Sequence, residues 1–168
     1  MSLFTEFRIS NTYKLNPHQP PFWKTKALTQ MSHGEWESLC DGCGLCCLQK
    51  FEDKKTGRID FTNVACYLLD IERCRCRSYA ERAHLVKGCL QLTPEKVVKY
   101  RWLPKTCAYR LLAQGKDLKW WHPLVSNDPE AVHRAGISAR ERAISEEFVH
   151  PDDVLDYIIP RLHNQHGQ

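Results

Sequence analysis

Cys40-Asp41-Gly42-Cys43-Gly44-Leu45-Cys46-Cys47 places four of the chain's nine cysteines within eight residues. A buried cysteine behaves as a small hydrophobe, and packing alone never calls for four of them in one short stretch. The spacing is that of ligands. Cys40-x2-Cys43-x2-Cys46 is the run that wraps three corners of a [4Fe–4S] cluster, with a remote cysteine at the fourth. Two-residue spacing equally makes a zinc knuckle completed by a second pair. Gly42 and Gly44 break any regular element and let backbone N–H groups approach the sulfurs. Neighbouring side chains diverge, by about 100° on a helix and 180° on a strand, so adjacent Cys46 and Cys47 point to two nearby sites or to a polynuclear cluster.

Upstream, Phe22 to Met31 reads as a short helix burying Phe22, Ala27 and Met31. Ser32-His-Gly-Glu35 is a capping box that opens a second helix, which carries Trp36 and Leu39 and delivers the chain to Cys40. Downstream, alternation over 48–53, the turn signal Lys54-Lys55-Thr56-Gly57 and alternation over 58–62 predict a β-hairpin that returns the chain to Cys66. Arg73-Cys74-Arg75-Cys76-Arg77 has period two, which in an extended segment puts both cysteines on one side and the arginines on the other. Thr93-Pro94-Glu95 starts a helix, and Thr106 caps another over 107–113 with Gly115 past its end. Trp120 to Val125 reads as a buried strand or extended piece. Asp128-Pro129-Glu130 begins a short helix closed by Gly136, 143–149 reads as a strand and 151–159 as a last helix. The expected fold is a small, mainly helical α+β single domain with one β-hairpin, organised around a cysteine metal cluster. An extended N-terminal arm at 1–20 precedes the cysteine-cluster domain at 21–160, and a disordered tail fills 161–168.

Composition is ordinary for a globular chain of 168 residues, at 42% hydrophobic and 26% charged. No apolar run approaches the roughly 20 residues needed to span a bilayer, and the first residues have no apolar signal-peptide core. The expected location is cytoplasmic. An odd number of cysteines in a reducing compartment argues against a disulfide framework, and Cys46 and Cys47 are poor partners for one another. The formal charge of +4 counts every cysteine as neutral; eight thiolates on two divalent ions would bring it to about zero. Arg73, Arg75, Arg77 and Arg82 therefore read as compensation for thiolate charge, with a phosphate or nucleic-acid surface as the alternative. Trp120 and Trp121 read as core, not as a stacking platform or electron path, with alternating directions burying one and half-exposing the other. His122 and His133 are unnecessary as ligands beside so many thiols, and a histidine next to Trp121 reads as a hydrogen-bonded structural residue. Neither G-x-G-x-x-G nor a P-loop occurs.

Taken together, Cys40 to Cys47, Phe61-Thr-Asn-Val-Ala-Cys66, Thr106-Cys-Ala-Tyr-Arg-Leu-Leu112, Gly115-Lys-Asp-Leu118 and Trp120-Trp-His-Pro-Leu-Val125 resemble the YcgN-type bacterial cysteine-cluster family. That family looks like a branch of the broader CxxCxxCC group, described as chelating zinc or iron. The likeness covers about Pro21 to Ser138. The broader pattern carries over to Cys40, Cys43, Cys46, Cys47, Cys66, Cys76 with Tyr79 and Arg82, and Cys89; Cys74 and Cys107 lie outside it and are secondary metal candidates. The resemblance implies a bacterial, cytoplasmic, metal-binding protein and no known reaction. A flagellin lysine N-methylase in the broader group shares only the cysteine pattern, and the C-x3-C-x2-C run of radical SAM enzymes is absent. The expected function is binding of an iron–sulfur cluster or zinc in a structural or redox-sensing role. The alternatives are a metal- or cluster-dependent enzyme that modifies a protein, or a nucleic-acid partner using the arginine face. Metal ions are the expected partners; a protein partner stays open, nucleic acid is disfavoured and no membrane is involved.

Overall fold

A computed structural model describes residues 19–89 and 91–160. The tail at 161–168 and nearly all of the expected N-terminal arm lie outside the described residues.

Helix α1 (Phe22–Thr25) is a single turn that buries Phe22 and Trp23, their rings edge to face at 5.3 Å. The expected continuation to Met31 does not form. Lys26 is extended, a 3₁₀ turn follows at Leu28–Gln30, and Ala27 is exposed. Lys24-Thr25-Lys26 offers no large apolar side chain for a second turn to bury, and a short helix depends on such burial. Helix α2 (His33–Ser38) carries the expected capping box: the Ser32 hydroxyl accepts the Glu35 N–H, and the Glu35 carboxylate accepts the Ser32 N–H at 2.8 Å. Trp36 and Leu39 are buried.

Strands β1 (Leu48–Glu52) and β2 (Ile59–Ala65) form the expected antiparallel hairpin. Its turn is held by the Asp53 carboxylate, which accepts the N–H groups of Lys55 and Thr56, and by Gly57 at φ +67°. The register shifts between Leu48 and Lys50. There the fully buried Thr62 hydroxyl donates to the Gln49 carbonyl and accepts the Val64 N–H, both at 3.1 Å, filling the bulge. Beyond it the Cys66 N–H donates to the Cys47 carbonyl at 3.0 Å.

Two-residue strands β3 (Leu69–Asp70) and β4 (Arg75–Cys76) pair antiparallel. Short helices α3 (Arg82–Leu85), α4 (Pro94–Val97) and α5 (Ala108–Ala113) follow. Cys107, not Thr106, stands at the N-cap of α5. The expected strand at Trp120–Val125 is instead the helix α6 (Pro123–Ser126). Pro123 has no N–H for a ladder and its fixed φ suits the first helical position. Trp120 is 66% exposed while Trp121 packs half-buried against a core, so the pair divides as expected but with its outer ring further into solvent. Helix α7 (Ala131–Arg134) closes at Gly136. Of the strand expected over 143–149 only β5 (Ile144–Ser145) forms, parallel to β2, because the Ser145 hydroxyl accepts the Glu147 N–H and turns the chain into a 3₁₀ turn. Pro151–Tyr157 is likewise 3₁₀. The sheet order is β1-β2-β5. The whole is a mix of short helices and a few strands, as an α+β fold requires.

One core gathers Phe22, Trp23, Trp36, Leu39, Leu103, Tyr109 and Leu118. A second gathers Cys43, Leu45, Leu48, Phe61, Ala65, Leu69, Cys74, Val132 and Ala139. The cysteine loop enters from the first and ends in the second.

Candidate metal centre

The loop is anchored at both ends. Before it, the buried His122 ring donates Nε2–H to the Leu39 carbonyl at 3.0 Å, while its Nδ1 accepts the Leu124 N–H. These partners define a neutral tautomer, and burial lowers the pKa of the ring. Within the loop, the buried Asp41 carboxylate accepts the Cys43 N–H at 3.0 Å. Gly42 sits at φ +74°, and a Cβ there would come within 2.6 Å of the Arg75 guanidinium. Arg75 lies across the glycine and directs Nη1 to the Cys40 sulfur at 3.8 Å.

Leu45–Cys47 forms a 3₁₀ turn that runs directly into β1. The sulfurs of Cys46 and Cys47 are 3.9 Å apart. The expected divergence of this pair is thus corrected: side-chain rotation, not the Cα–Cβ direction alone, decides where a sulfur lies. Two sulfurs on one tetrahedral zinc at 2.3 Å are separated by about 3.8 Å, a length the observed separation matches.

All nine cysteines are free thiols. Cys40 meets solvent on one side but is ringed by protein, and this desolvation pushes its thiol up to about 11. Burial, with the Asp41 charge, drives Cys43 well above the ordinary value. Within the adjacent pair the hydrogen bond favours the thiolate on Cys46 at the expense of Cys47, and the Lys50 ammonium assists. Lys50 donates to the Cys46 carbonyl at 2.8 Å and stands 4.8 Å from the Trp102 ring.

The thiols also act on one another across the chain. Cys47 feels Cys66 and Cys40; Cys66 feels Cys76 and Cys89; Cys89 feels Cys76 and Cys46. Cys107, raised to about 12 by burial, feels Cys46 and Cys40. Cys74 is the exception. It packs beneath Gly44, donates to the Ile71 carbonyl at 3.4 Å, and has Arg140 and Ser138 as its polar surroundings. The expected shared face of Cys74 and Cys76 is corrected accordingly, because Cys74 has φ +51° and the alternation breaks there.

The arginines divide. Arg75 and Arg82 reach the thiols of Cys40 and Cys89, while Arg73 pairs with Asp70 at 3.5 Å. Arg82 also stacks on the Tyr79 ring, whose hydroxyl donates to Glu37 at 2.7 Å. In this conformation no three His, Cys, Asp or Glu side chains among the described residues converge closely enough to hold an ion. The donor chemistry nonetheless fits a thiophilic metal: soft sulfur ligands, one pair at a tetrahedral-edge distance, and cations set to balance thiolate charge. Lys50 escaped the sequence reading because a lysine in a β-alternation looks like a solvated face; only its long-range meeting with Trp102 marks it.

The CxxCxxCC family model, described as a "putative zinc- or iron-chelating domain", matches residues 39–108. A UPF0260 protein of Sinorhizobium fredii is 58% identical over 139 residues, covering 83% of this chain and 90% of the relative. One from Rhizobium johnstonii is 60% identical over 139 residues, 83% of this chain and 88% of the relative. One from Rhizobium meliloti is 55% identical over 141 residues, 84% and 91% respectively. No solved structure matches the chain. With the cysteine loop, the hairpin and the segments behind them all inside these matches, the chain belongs to the UPF0260 family.

Proposed function

We propose that this protein binds zinc or an iron–sulfur cluster through Cys40, Cys43, Cys46, Cys47, Cys66, Cys76 and Cys89, in a structural or redox-sensing role in the cytoplasm. One observation carries the reading: four free thiols lie within eight residues, with the Cys46 and Cys47 sulfurs 3.9 Å apart and the Arg75 guanidinium set against the Cys40 sulfur. Around the pair Cys46 and Cys47, the natural further ligands are Cys40, in the same loop, and Cys66, whose N–H bonds to the Cys47 carbonyl. Cys107, in the field of Cys46 and Cys40, is the next candidate, and the surroundings of Cys74 suit packing better than ligation. Bound zinc would cross-link the loop, the hairpin base and the 76–89 segment; an iron–sulfur cluster would add one-electron chemistry. On this reading residues 21–160 are one mainly helical domain organised around the centre, and the chain falls in the YcgN-type branch.

Purification without oxygen, followed by metal analysis and a visible spectrum, tests the proposal. Stoichiometric zinc in a colourless protein, or iron with sulfide in a brown one, is the expected result. Protein that is fully folded and holds neither metal would overturn it.

A further inference from the structure

Behind the thiols, residues 94–119 carry seven Lys and Arg against two Asp and Glu, a local excess of five positive charges in a chain whose net charge is +4. The fold does not neutralise it. Asp117 is taken by Lys24 at 2.6 Å, and Glu95 is exposed. Among the described residues, none of Lys96, Lys99, Arg101, Lys105, Arg110, Lys116 and Lys119 forms an ion pair.

The excess has a focus on α5. Lys105 lies just ahead of the helix, Arg110 in its middle and Lys116 just past its end, where the Lys116 N–H returns to the Leu111 carbonyl at 2.9 Å. A helix of this length spans only about 9 Å, so these long side chains come within reach of one another. Arg110 directs Nη1 to the carbonyls of Arg101 and Leu103, which fixes its guanidinium. Lys105 Nζ is shielded from water and donates to no protein group. Desolvation and then the charges of Arg110 and Lys116, both cations, act against its protonated form. An ammonium has three donors, and enclosing one without an acceptor is unfavourable. The missing partner is an anion.

We propose that Lys105, Arg110 and Lys116 form a seat for the phosphate group of a small ligand. A phosphate dianion supplies charge to match converging cations and enough oxygens for two ammonium groups and a guanidinium at once, which a carboxylate does not. Lys116 also lines a cleft of about 330 Å³ with Trp23, Leu112, Gly115 and the ion-paired Lys24 and Asp117, so the organic remainder of the ligand meets one aromatic wall and one polar wall. An oligonucleotide suits the surface less well, because the rings of Tyr100 and Trp102 are turned to each other and to Lys50 and not outward as stacking platforms.

Inorganic phosphate, adenosine monophosphate and a single-stranded oligonucleotide are titrated calorimetrically into the full-length protein as isolated, at constant ionic strength. Saturable binding of phosphate or the monophosphate is expected, with Kd of about 1 mM or tighter, weakened at least about tenfold by Lys105→Met and by Lys116→Ala. Monophosphate binding tighter than phosphate assigns the cleft to the ligand; equal binding confines the site to the phosphate seat. Lys116 is exposed, so its variant decides alone if Lys105→Met fails to fold. Absence of saturable phosphate binding, or binding that Lys116→Ala leaves unchanged, overturns the proposal. An oligonucleotide that binds without competition from either phosphate overturns the small-ligand assignment.

Discussion

The two larger cores of this molecule are held by different means. One is aromatic: Trp36 and Tyr109 meet at 4.7 Å, the Tyr109 hydroxyl donates to the Trp36 carbonyl, and no cysteine is among its fully buried members. The other rests on smaller side chains, and two of its nine buried members are the thiols Cys43 and Cys74. Each buried aromatic removes about 150–250 Å² from water, so the first core has the material to hold itself. The second is fed by a loop whose glycines weaken its local order, and it calls for a cross-link. A metal at the thiols would supply it.

Removing the metal tests that contrast most strongly. Structural zinc contributes about 10–16 kcal/mol in small zinc domains, so a strong chelator is expected to melt the cysteine-bearing core while the near-UV circular dichroism of the Trp36–Tyr109 pair persists. Cys43→Ser acts in the same direction, lowering metal stoichiometry and Tm together. Identical melts with and without chelator would erase the distinction between the cores. The converse substitution, Trp36→Ala, is expected to cost about 3–5 kcal/mol in urea unfolding with metal content unchanged.

Two glycines sharpen the comparison at smaller scale. Gly42→Ala forces a Cβ into a left-handed backbone and against Arg75, at about 1–2 kcal/mol for the backbone alone. Gly34→Ala, in α2 with open space around it, is expected to stabilise by about 0.4–1 kcal/mol. Opposite signs in urea denaturation check the pair. His122 joins the two regions and titrates. Because burial lowers its folded pKa, the unfolded chain takes up the proton first as pH falls. Its contribution is complete above about pH 6.5 and declines below it by up to about 1.4 kcal/mol per pH unit. A Tm profile from pH 7.5 to 5 is expected to fall accordingly, and His122→Gln to flatten that slope. Comparable in size to the glycine effects is Ser32→Ala, about 1 kcal/mol from the lost cap of α2, confined to the aromatic side and read by urea denaturation.

What could be read from the sequence was local. The capping box at Ser32 and Glu35 and the hairpin turn at Asp53 to Gly57 are closed by residues three or four apart, so their partners are visible in the string. The cysteine spacing marked the CxxCxxCC pattern for the same reason. The failures were long-range. Cys74 leaves its expected alternation with Arg140 and Ser138 as surroundings, far along the chain. Lys50 owes its place to Trp102. Helix α6 follows from Pro123 but also from His122 reaching the Leu39 carbonyl, and the meeting of the Cys46 and Cys47 sulfurs is a matter of rotamers.

The bulge at Thr62 bears on how this protein can be re-engineered. A hairpin normally tolerates length changes at its tip, since each doubling of a flexible loop costs only about 0.6 kcal/mol. A peptide tag placed within 54–56 is therefore expected to leave the Cys66 N–H on the Cys47 carbonyl. Deleting Asn63 is another matter. It advances Val64, Ala65 and Cys66 by one position, drives Val64 and Ala65, both fully buried but in different cores, each into the other's core, and carries Cys66 to the opposite face of the strand from Cys47. The same hairpin accepts insertions at one end and forbids a single deletion at the other.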